Sequence, residues 1–363
     1  MSTNFIAAAK SPKVFLHIGM GKSASSFLQN RCFPKLSSQG FQYNPPPVMD
    51  EVVRLMSVPN PTEEEIDATR QTITTYLRSS NCQRLFLSRE HFTTRDWKFC
   101  YADSTSLLKR LFPEAKIIVI LRHQVSWTKS LYREAVHQGV LMTYKEFLNF
   151  DGTNIRRDAA PAQTDPFAVD FFDFLTTLFD RFDRDNVLVI FFENFKKNPL
   201  AVIDQIGAFL GGDIRPDDIT PERRGLSGLS IRMLLAYHRF YTALGIDIPY
   251  VHEDKNPTPF QSLAQLPLRE AWSNGSMLRV IATLLSKARL RMLRCKSWTC
   301  MRDFHQSRFD NLIYADVNIF KPDRLNECLE QIVFQNNKRL CELYPAHELP
   351  PVYTRSPGGG NNA

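Results

Sequence analysis

The chain has 363 residues, and its 45 Lys and Arg against 38 Asp and Glu give a net charge of +7. Hydrophobic residues make up 43%, which supports a substantial core and excludes a chain that is disordered along its length. The seven cysteines are scattered and form no CxxC pair. They therefore indicate neither a disulfide framework nor a zinc site, and they favour a reducing compartment such as the cytoplasm.

Four short apolar runs predict the strands of a sheet: 14–18, 85–88, 116–121 and 187–192. The last two are nearly continuous in Val, Ile, Leu and Phe, a composition typical of parallel strands that are covered on both faces. Helical stretches separate the runs. This alternation predicts an α/β fold of three layers with right-handed crossovers.

The expected helices include a long one over 165–183, which carries many Phe and Leu residues. The proline cluster at 45–47 predicts a loop. After about residue 215 the strand signals fade, and helices are predicted over 230–244, 277–294 and 323–343. We therefore expect a single domain over 1–350, with an α/β core at 12–215, a helical part at 216–350 and a flexible tail at 351–363.

A loop rich in small residues follows the first predicted strand directly. Residues 19–29 read GMGKSASSFLQ. Small residues after a buried strand let successive backbone N–H groups converge on one concavity, and the following helix adds its positive end. Lys22 supplies a mobile charge, and the neighbouring serines supply short hydroxyl donors. The loop is therefore predicted to bind a phosphate-like anion.

Two features distinguish this loop from the phosphate loop of ATP- and GTP-binding proteins. The pattern G-x-x-x-x-G-K-[ST] requires a glycine at the position of Leu16. The candidate strand ends also lack the aspartate that would hold Mg²⁺. A nucleotide or small-molecule kinase of the P-loop type is thus the second hypothesis, and no metal is predicted.

A second candidate anion site lies at the end of the third predicted strand. Arg122 stands at the carboxyl edge of that strand, where ligands collect in open α/β sheets, and Ser130 lies on the helix that follows. A planar guanidinium and a hydroxyl suit a phosphate group. Two separate anion sites fit a nucleotide with phosphates on both its 5′ and 3′ positions.

Together these segments resemble a known family. The patterns G-x-x-K-S-A-S-S at 19–26 and R-x₇-S-x-Y at 122–132 are similar to the 5′-phosphosulfate loop and the 3′-phosphate motif of the sulfotransferases. Further segments resemble bacterial-type members of that family: FFENF at 191–195, FLG at 209–211, RRGLS at 223–227 and QNNKRL at 335–340. The chain departs from the family at Gln124, which replaces a usual proline, and at Trp127, near the place of a second arginine.

The resemblance implies a P-loop-like fold and transfer of a sulfuryl group from 3′-phosphoadenylyl sulfate (PAPS) to a hydroxyl or amine. The acceptor, a glycan, lipid or small molecule, is left open. The resemblance implies no metal, because a sulfuryl group carries less charge than a phosphoryl group. The implied donor-binding residues are Gly21, Lys22, Ser23, Ala24, Ser25, Ser26, Phe27, Arg122, Ser130 and Arg224.

The expected catalytic residues are Lys22, which would stabilise the leaving oxygen, and a general base. The second predicted strand runs on into Glu90 and His91, at the same sheet edge as both anion sites. Members of the family use either glutamate or histidine as the base, so the resemblance leaves the choice open. Strand alternation would point the two side chains in opposite directions, and we favour Glu90 over His91.

The remaining expectations concern partners. The basic stretch 277–296 predicts either a solvated helix face or contact with an anionic membrane, and no apolar run is long enough to span one. A non-catalytic binder of anions or nucleic acid is the third hypothesis, ranked last because the sequence contains no nucleic-acid-binding motif. The oligomeric state is left open.

Overall fold

The computed structural model describes residues 12–95, 98–219, 225–243, 310, 319–320 and 324–356. Within these ranges a five-stranded sheet has the order β2-β3-β1-β6-β7, and every neighbouring pair in it is parallel. Its strands are β1 Lys13–His17, β2 Phe41–Tyr43, β3 Arg84–Ser88, β6 Lys116–Leu121 and β7 Val187–Phe191. Two short strands form a separate antiparallel pair, β4 Thr94–Arg95 and β5 Lys98–Phe99.

Helices connect the strands and cover the sheet. The α-helices of the described ranges are α1 Ser25–Phe27, α2 Pro46–Met56, α3 Glu63–Ser79, α4 Ala102–Leu111, α5 Gln124–His137, α6 Tyr144–Phe147, α7 Phe171–Phe182, α8 Phe192–Lys197, α9 Pro199–Leu210, α10 Gly228–Ala243, α11 Arg324–Asn337 and α12 Leu340–Leu343. A π-helix, Leu28–Cys32, continues α1, and 3-10 helices occur at Phe33–Gln39, Glu90–Phe92, Pro166–Ala168, Arg184–Asn186 and Pro351–Tyr353.

The core has two halves, one on each face of the sheet. Along β6, Ile117, Val119 and Leu121 belong to the larger hydrophobic cluster, whereas Ile118 and Ile120 belong to the smaller one. This follows from strand geometry, because successive side chains point to opposite faces. Helices α4, α5, α7 and α11 contribute to the larger cluster, and α9 with the helical segment after β1 contributes to the smaller. The predicted three-layer α/β fold is therefore confirmed.

The structure corrects the predicted elements in two places. The helix expected over 165–183 is a 3-10 turn followed by α7, because Asp165 and Asp170 each accept a backbone hydrogen bond in the manner of an N-cap and so start two separate elements. The proline cluster at 45–47 is not simply a loop, since Pro46 is the first residue of α2. Proline is favoured in a first helical turn, where its missing N–H is not needed.

The C-terminal part of the chain packs back onto the core. The side-chain amides of Gln124, at the start of α5, and Asn337, at the end of α11, bond each other at 2.6 Å and 3.0 Å. Both residues are buried, so this pair of amides joins two segments that are distant in the sequence. The predicted helix 277–294 and Arg224 lie outside the described residues.

Candidate functional site

The candidate anion loop spans the gap between β1 and α1, residues 18–24. Lys22 and Ala24 have positive φ angles of 66° and 65°, which side-chain-bearing residues rarely adopt. Two hydrogen bonds, one buried and one partly buried, hold the loop in this form. The indole Nε1 of Trp127 donates to the Gly21 carbonyl at 3.0 Å, and Nη1 of Arg122 donates to the Lys22 carbonyl at 2.6 Å.

These contacts orient the backbone of the loop. In a trans peptide the C=O and N–H groups point in opposite directions. Because the carbonyls of Gly21 and Lys22 face Trp127 and Arg122, the N–H groups of Lys22 and Ser23 point away from those two side chains. The loop thus presents consecutive N–H donors on one side, as an anion-binding nest does.

The serine hydroxyls of the loop differ in their surroundings. Ser23 Oγ is buried and has no hydrogen-bond partner in the described part of the chain. Ser25 Oγ donates a long bond to the Met20 carbonyl at 3.4 Å, and Ser26 is exposed. A buried hydroxyl without a partner is costly unless a ligand completes it, so the residues present fit a bound anion. The next residue, Phe27, packs edge-on against Phe195 in the core.

A buried histidine packs against the anion loop. His17 is fully buried at the end of β1, and its Nδ1 lies 2.8 Å from Ser88 Oγ. Burial lowers its pKa from 6.5 to about 4. A Cβ at Gly19 would lie 3.0 Å from His17 Nε2, so the loop passes close to the ring, and a side chain at position 19 would require the ring to shift by a few tenths of an ångström.

The side chain of Lys22 bonds a carboxylate on α5. Its Nζ lies 3.0 Å from Glu134 Oε2, and both side chains are about one third exposed, at 34% and 29%. Burial raises the pKa of Glu134, but the charge of Lys22 and the hydrogen bonds from Gln138 and Lys22 outweigh it, so the pKa of Glu134 is lowered overall. The pair is therefore an ion pair at neutral pH.

Arg122, the candidate 3′-phosphate residue, is held more firmly. Besides the Lys22 carbonyl, its guanidinium contacts Ser126 Oγ through Nε at 3.0 Å and lies 4.7 Å above the centre of the Phe192 ring. Within the described part of the chain its Nη2 group has no partner, which leaves donors for a further anion. Burial lowers the pKa of Arg122, with opposing contributions from Glu193 and Tyr353, but an arginine remains charged at neutral pH.

One face of α5 runs past both cations. Ser126, Ser130 and Glu134 are spaced one helical turn apart and so lie on the same face. Ser126 contacts Arg122 and Glu134 contacts Lys22, which puts Ser130 between them along the helix. Ser130 makes no side-chain hydrogen bond to any other described residue. Its hydroxyl is partly exposed and remains available to a ligand.

Glu90 and His91 do not continue β3. They form a 3-10 turn, so the premise of strand alternation does not apply to them. The turn still separates the two side chains. A Cβ at Gly21 would lie 3.7 Å from both Cδ and Oε2 of Glu90, which brings the Glu90 carboxylate next to the anion loop. His91 is exposed.

The ends of β6 and β7 are joined by the C-terminal segment. Glu193 accepts a bond from the His123 backbone N–H at 3.1 Å and another from the Tyr353 hydroxyl at 3.0 Å. Tyr353 is buried, and its ring meets His123 edge-on. A large aromatic ring is thus buried within the segment for which the sequence predicts a flexible tail. Residues 357–363 lie outside the described ranges.

Sequence reasoning missed three contributors to the site. Ser126 is one helical turn after Arg122, a spacing that identifies it as a partner. Trp127 was noted only as a departure from the family, although it holds the loop. Glu134 had no signal of its own, but it stands on the helix face defined by Ser126 and Ser130.

Several kinds of feature are absent from the described part of the chain. The residues searched contain no group of three His, Cys, Asp or Glu side chains that could hold a metal ion. No helix among them is both long and apolar enough to cross a membrane. The basic stretch 277–296 and Arg224 lie outside the described ranges.

Comparison with known proteins places these observations in context. The model of the sulfotransferase family matches residues 17–216. A search of curated proteins finds no match. Among solved structures, a sulfotransferase from Alicyclobacillus acidocaldarius is 18% identical, with a TM-score of 0.40, and the match covers 66% of this chain and 97% of that one.

Two further solved structures are similar to the chain. The sulfotransferase domain from the curacin biosynthetic pathway is 13% identical, with a TM-score of 0.32, and the match covers 56% of this chain and 76% of that one. A mouse sulfotransferase complexed with PAP is 15% identical, with a TM-score of 0.32, over 68% of this chain and 69% of that one.

Proposed function

Because the chain belongs to the sulfotransferase family, we propose that it transfers a sulfuryl group from PAPS to a hydroxyl or amine of an acceptor. The observation that carries this proposal is the loop between β1 and α1. Its backbone N–H groups are turned to one side by Trp127 and Arg122, and the buried Ser23 hydroxyl lacks a partner. An anion would satisfy these groups, and the 5′-phosphosulfate end of PAPS is such an anion.

The donor would be held at two strand ends. The loop residues Gly21 to Phe27 form the candidate 5′ site, with Lys22 and Ser23 as its side-chain donors. Arg122 Nη2 and the Ser130 hydroxyl form the candidate 3′-phosphate site, and Arg224 remains a candidate from the resemblance alone. When bound, PAPS supplies an activated sulfuryl group whose departure leaves adenosine 3′,5′-bisphosphate.

Two residues of the chain would then carry out separate parts of the reaction. Lys22 carries a positive charge at the loop and would stabilise the negative charge of the leaving oxygen. Glu90 would accept the proton of the acceptor, because its carboxylate lies beside Gly21, and His91 is the less favoured alternative because it is exposed. The proposal uses no metal.

Two organisational proposals accompany this function. We propose that residues 1–350 form one sulfotransferase domain, with the α/β core at 12–215 and the helical part at 216–350. Its support is the Gln124–Asn337 pair, which joins the two parts through buried amides. We also propose a cytoplasmic location, since the seven cysteines are scattered along the sequence and Cys82, Cys328 and Cys341 form no disulfide in the described part of the chain.

Calorimetry with two nucleotides tests the donor. Adenosine 3′,5′-bisphosphate, without Mg²⁺, should bind and raise the melting temperature clearly, whereas ATP should do so much less because it has no 3′-phosphate for Arg122. Equal stabilisation by both, or a requirement for Mg²⁺, would favour a P-loop kinase. Incubation with labelled PAPS and a panel of glycans, lipids and phenols would then identify the acceptor.

A further inference from the structure

The ion pair between Lys22 and Glu134 has a consequence for donor binding. It places the carboxylate of α5 at 3.0 Å from the ammonium group that the proposed function assigns to the donor. Among the described residues, Glu134 is the one carboxylate that bonds Lys22. The lysine therefore already has an anionic partner in the protein without donor.

The backbone around Lys22 is fixed, whereas the side chain is not. Arg122 and Trp127 hold the loop carbonyls through hydrogen bonds, so the position of the Lys22 Cα is set by the fold. The Lys22 side chain is partly exposed, at 34%, and bonds only through its tip. A long lysine chain rotates easily about its methylenes. Exchange of one anion for another at Nζ thus requires rotation of the side chain and no rearrangement of the loop.

The carboxylate, by contrast, has a second anchor. Gln138, the residue that follows the last residue of α5, donates to the other oxygen of Glu134 at 2.9 Å. This bond orients the carboxylate whether or not Lys22 remains with it. Glu134 therefore stays in place as an alternative partner for the lysine.

We propose that Glu134 is a positioning residue that holds Lys22 in the resting protein and competes with the donor for it. The inference rests on the proposed function, since it takes the 5′ end of PAPS as the competing anion. Under this inference the affinity for the donor is lower than the loop alone would give. Part of the interaction between Lys22 and the donor is offset by the loss of the ion pair.

A double-mutant cycle tests the competition. The probe is adenosine 3′,5′-bisphosphate, and its dissociation constant is measured by calorimetry for the wild type, Glu134→Gln, Lys22→Ala and the double variant. Glu134→Gln should tighten binding about two- to fivefold, because partly exposed ion pairs are weak. In the Lys22→Ala background the same substitution should have no effect, since there is no lysine to release.

A purely structural role for Glu134 predicts a different pattern, because damage to α5 would weaken binding. Asp204→Asn is the matched control: it removes one negative charge from an ion pair with Arg215 on the exposed side of α9 and should leave binding unchanged. Equal tightening in both backgrounds, or none in the wild-type background, would overturn the inference. Failure of the wild type to bind the bisphosphate would instead contradict the proposed function.

Discussion

Lys22 and Arg122 are the two candidate cations of the site, and they are held in opposite ways. Among the described residues, the Lys22 side chain has a single polar partner, the Glu134 carboxylate, in a pair that is about one third exposed. Arg122 is largely buried and contacts a backbone carbonyl, the Ser126 hydroxyl and the Phe192 ring. The first is a mobile charge on a rigid loop, and the second is part of what makes the loop rigid.

The two cations therefore have different roles: Lys22 takes part in the proposed chemistry, and Arg122 holds the loop and a phosphate in place. A group that follows charge as it develops on a leaving oxygen must be able to reach it, and a flexible ammonium does so. A group that binds a phosphate in a single orientation benefits from the fixed planar geometry of a guanidinium. Substitutions at the two positions should therefore affect different measurements.

The largest expected effect comes from Glu90, which follows the end of β3 and is neither of the two cations. Glu90→Gln preserves the shape of the side chain and removes its basic oxygen. Turnover should fall by roughly 10²–10⁴-fold, the usual contribution of a general base, while the affinity for adenosine 3′,5′-bisphosphate stays the same. Steady-state kinetics beside calorimetry measures both quantities.

The neighbouring histidine supplies the control for Glu90. His91→Ala should retain most of the turnover, because His91 is exposed, whereas Glu90 lies beside Gly21. If the histidine variant loses its turnover and Glu90→Gln does not, the base is His91. Loss in neither variant would move the search for the base away from the turn after β3.

Arg122→Ala provides the direct contrast with Lys22→Ala. The arginine variant should weaken binding of the bisphosphate by about 10- to 100-fold, since hydrogen bonds to charged groups contribute about 1.5–3 kcal/mol. It should also lower the melting temperature, because the Lys22 carbonyl loses its donor. Lys22→Ala should weaken binding and reduce turnover but leave the melting temperature nearly unchanged. If both variants lose similar thermal stability, Arg122 and Lys22 do not differ in their contribution to the rigidity of the loop.

The smallest expected effect is the dependence of folding stability on pH. A buried histidine lies near each of the two cations. Burial lowers the pKa of His17, below the loop, to about 4. Burial, with a contribution from Lys129, also lowers the pKa of His123, next to Arg122, to about 4. An unfolded histidine titrates near 6.5, so the unfolded chain binds more protons between these values. Stability should therefore fall as the pH decreases from about 6.5 to about 4.

Urea unfolding at pH 7 and pH 5 measures this dependence. Each histidine should account for a loss of up to roughly 2 kcal/mol between the two pH values. His17→Gln and His123→Gln should each reduce the difference in stability between pH 7 and pH 5, even if either variant is less stable at pH 7. A difference that both variants retain in full would show that these histidines do not set it.

The sheet was predictable because its physical signal is local. A strand that is buried on both faces needs apolar residues throughout, and the runs at 116–121 and 187–192 meet that requirement. Strand β2 has only three residues, Phe41–Tyr43, of which Phe41 alone is buried, and so short a pattern cannot be distinguished from a loop. The break between the 3-10 turn at 166–168 and α7 could not be predicted in the same way, because it depends on which of two aspartates, Asp165 or Asp170, caps a helix.

The candidate site was predictable only in part, because its partnerships are long-range. The loop and the Arg122 and Ser130 pair follow from small residues and cations at strand ends. The Lys22–Glu134 contact joins residues separated by 112 positions, and the Trp127–Gly21 contact joins residues separated by 106. No spacing rule connects such positions, so these contacts become visible only once the strands are ordered in the sheet.

The amide pair of Gln124 and Asn337 has a consequence for synthesis. Its members are 213 positions apart, and both are buried in the folded chain. At about 5–20 residues per second, a ribosome adds the second member roughly 10 to 40 seconds after the first. During that interval the Gln124 amide lacks its Asn337 partner, and the surface that α11 covers is open. The nascent protein therefore passes through a stage in which this surface is open to chaperones and to other chains.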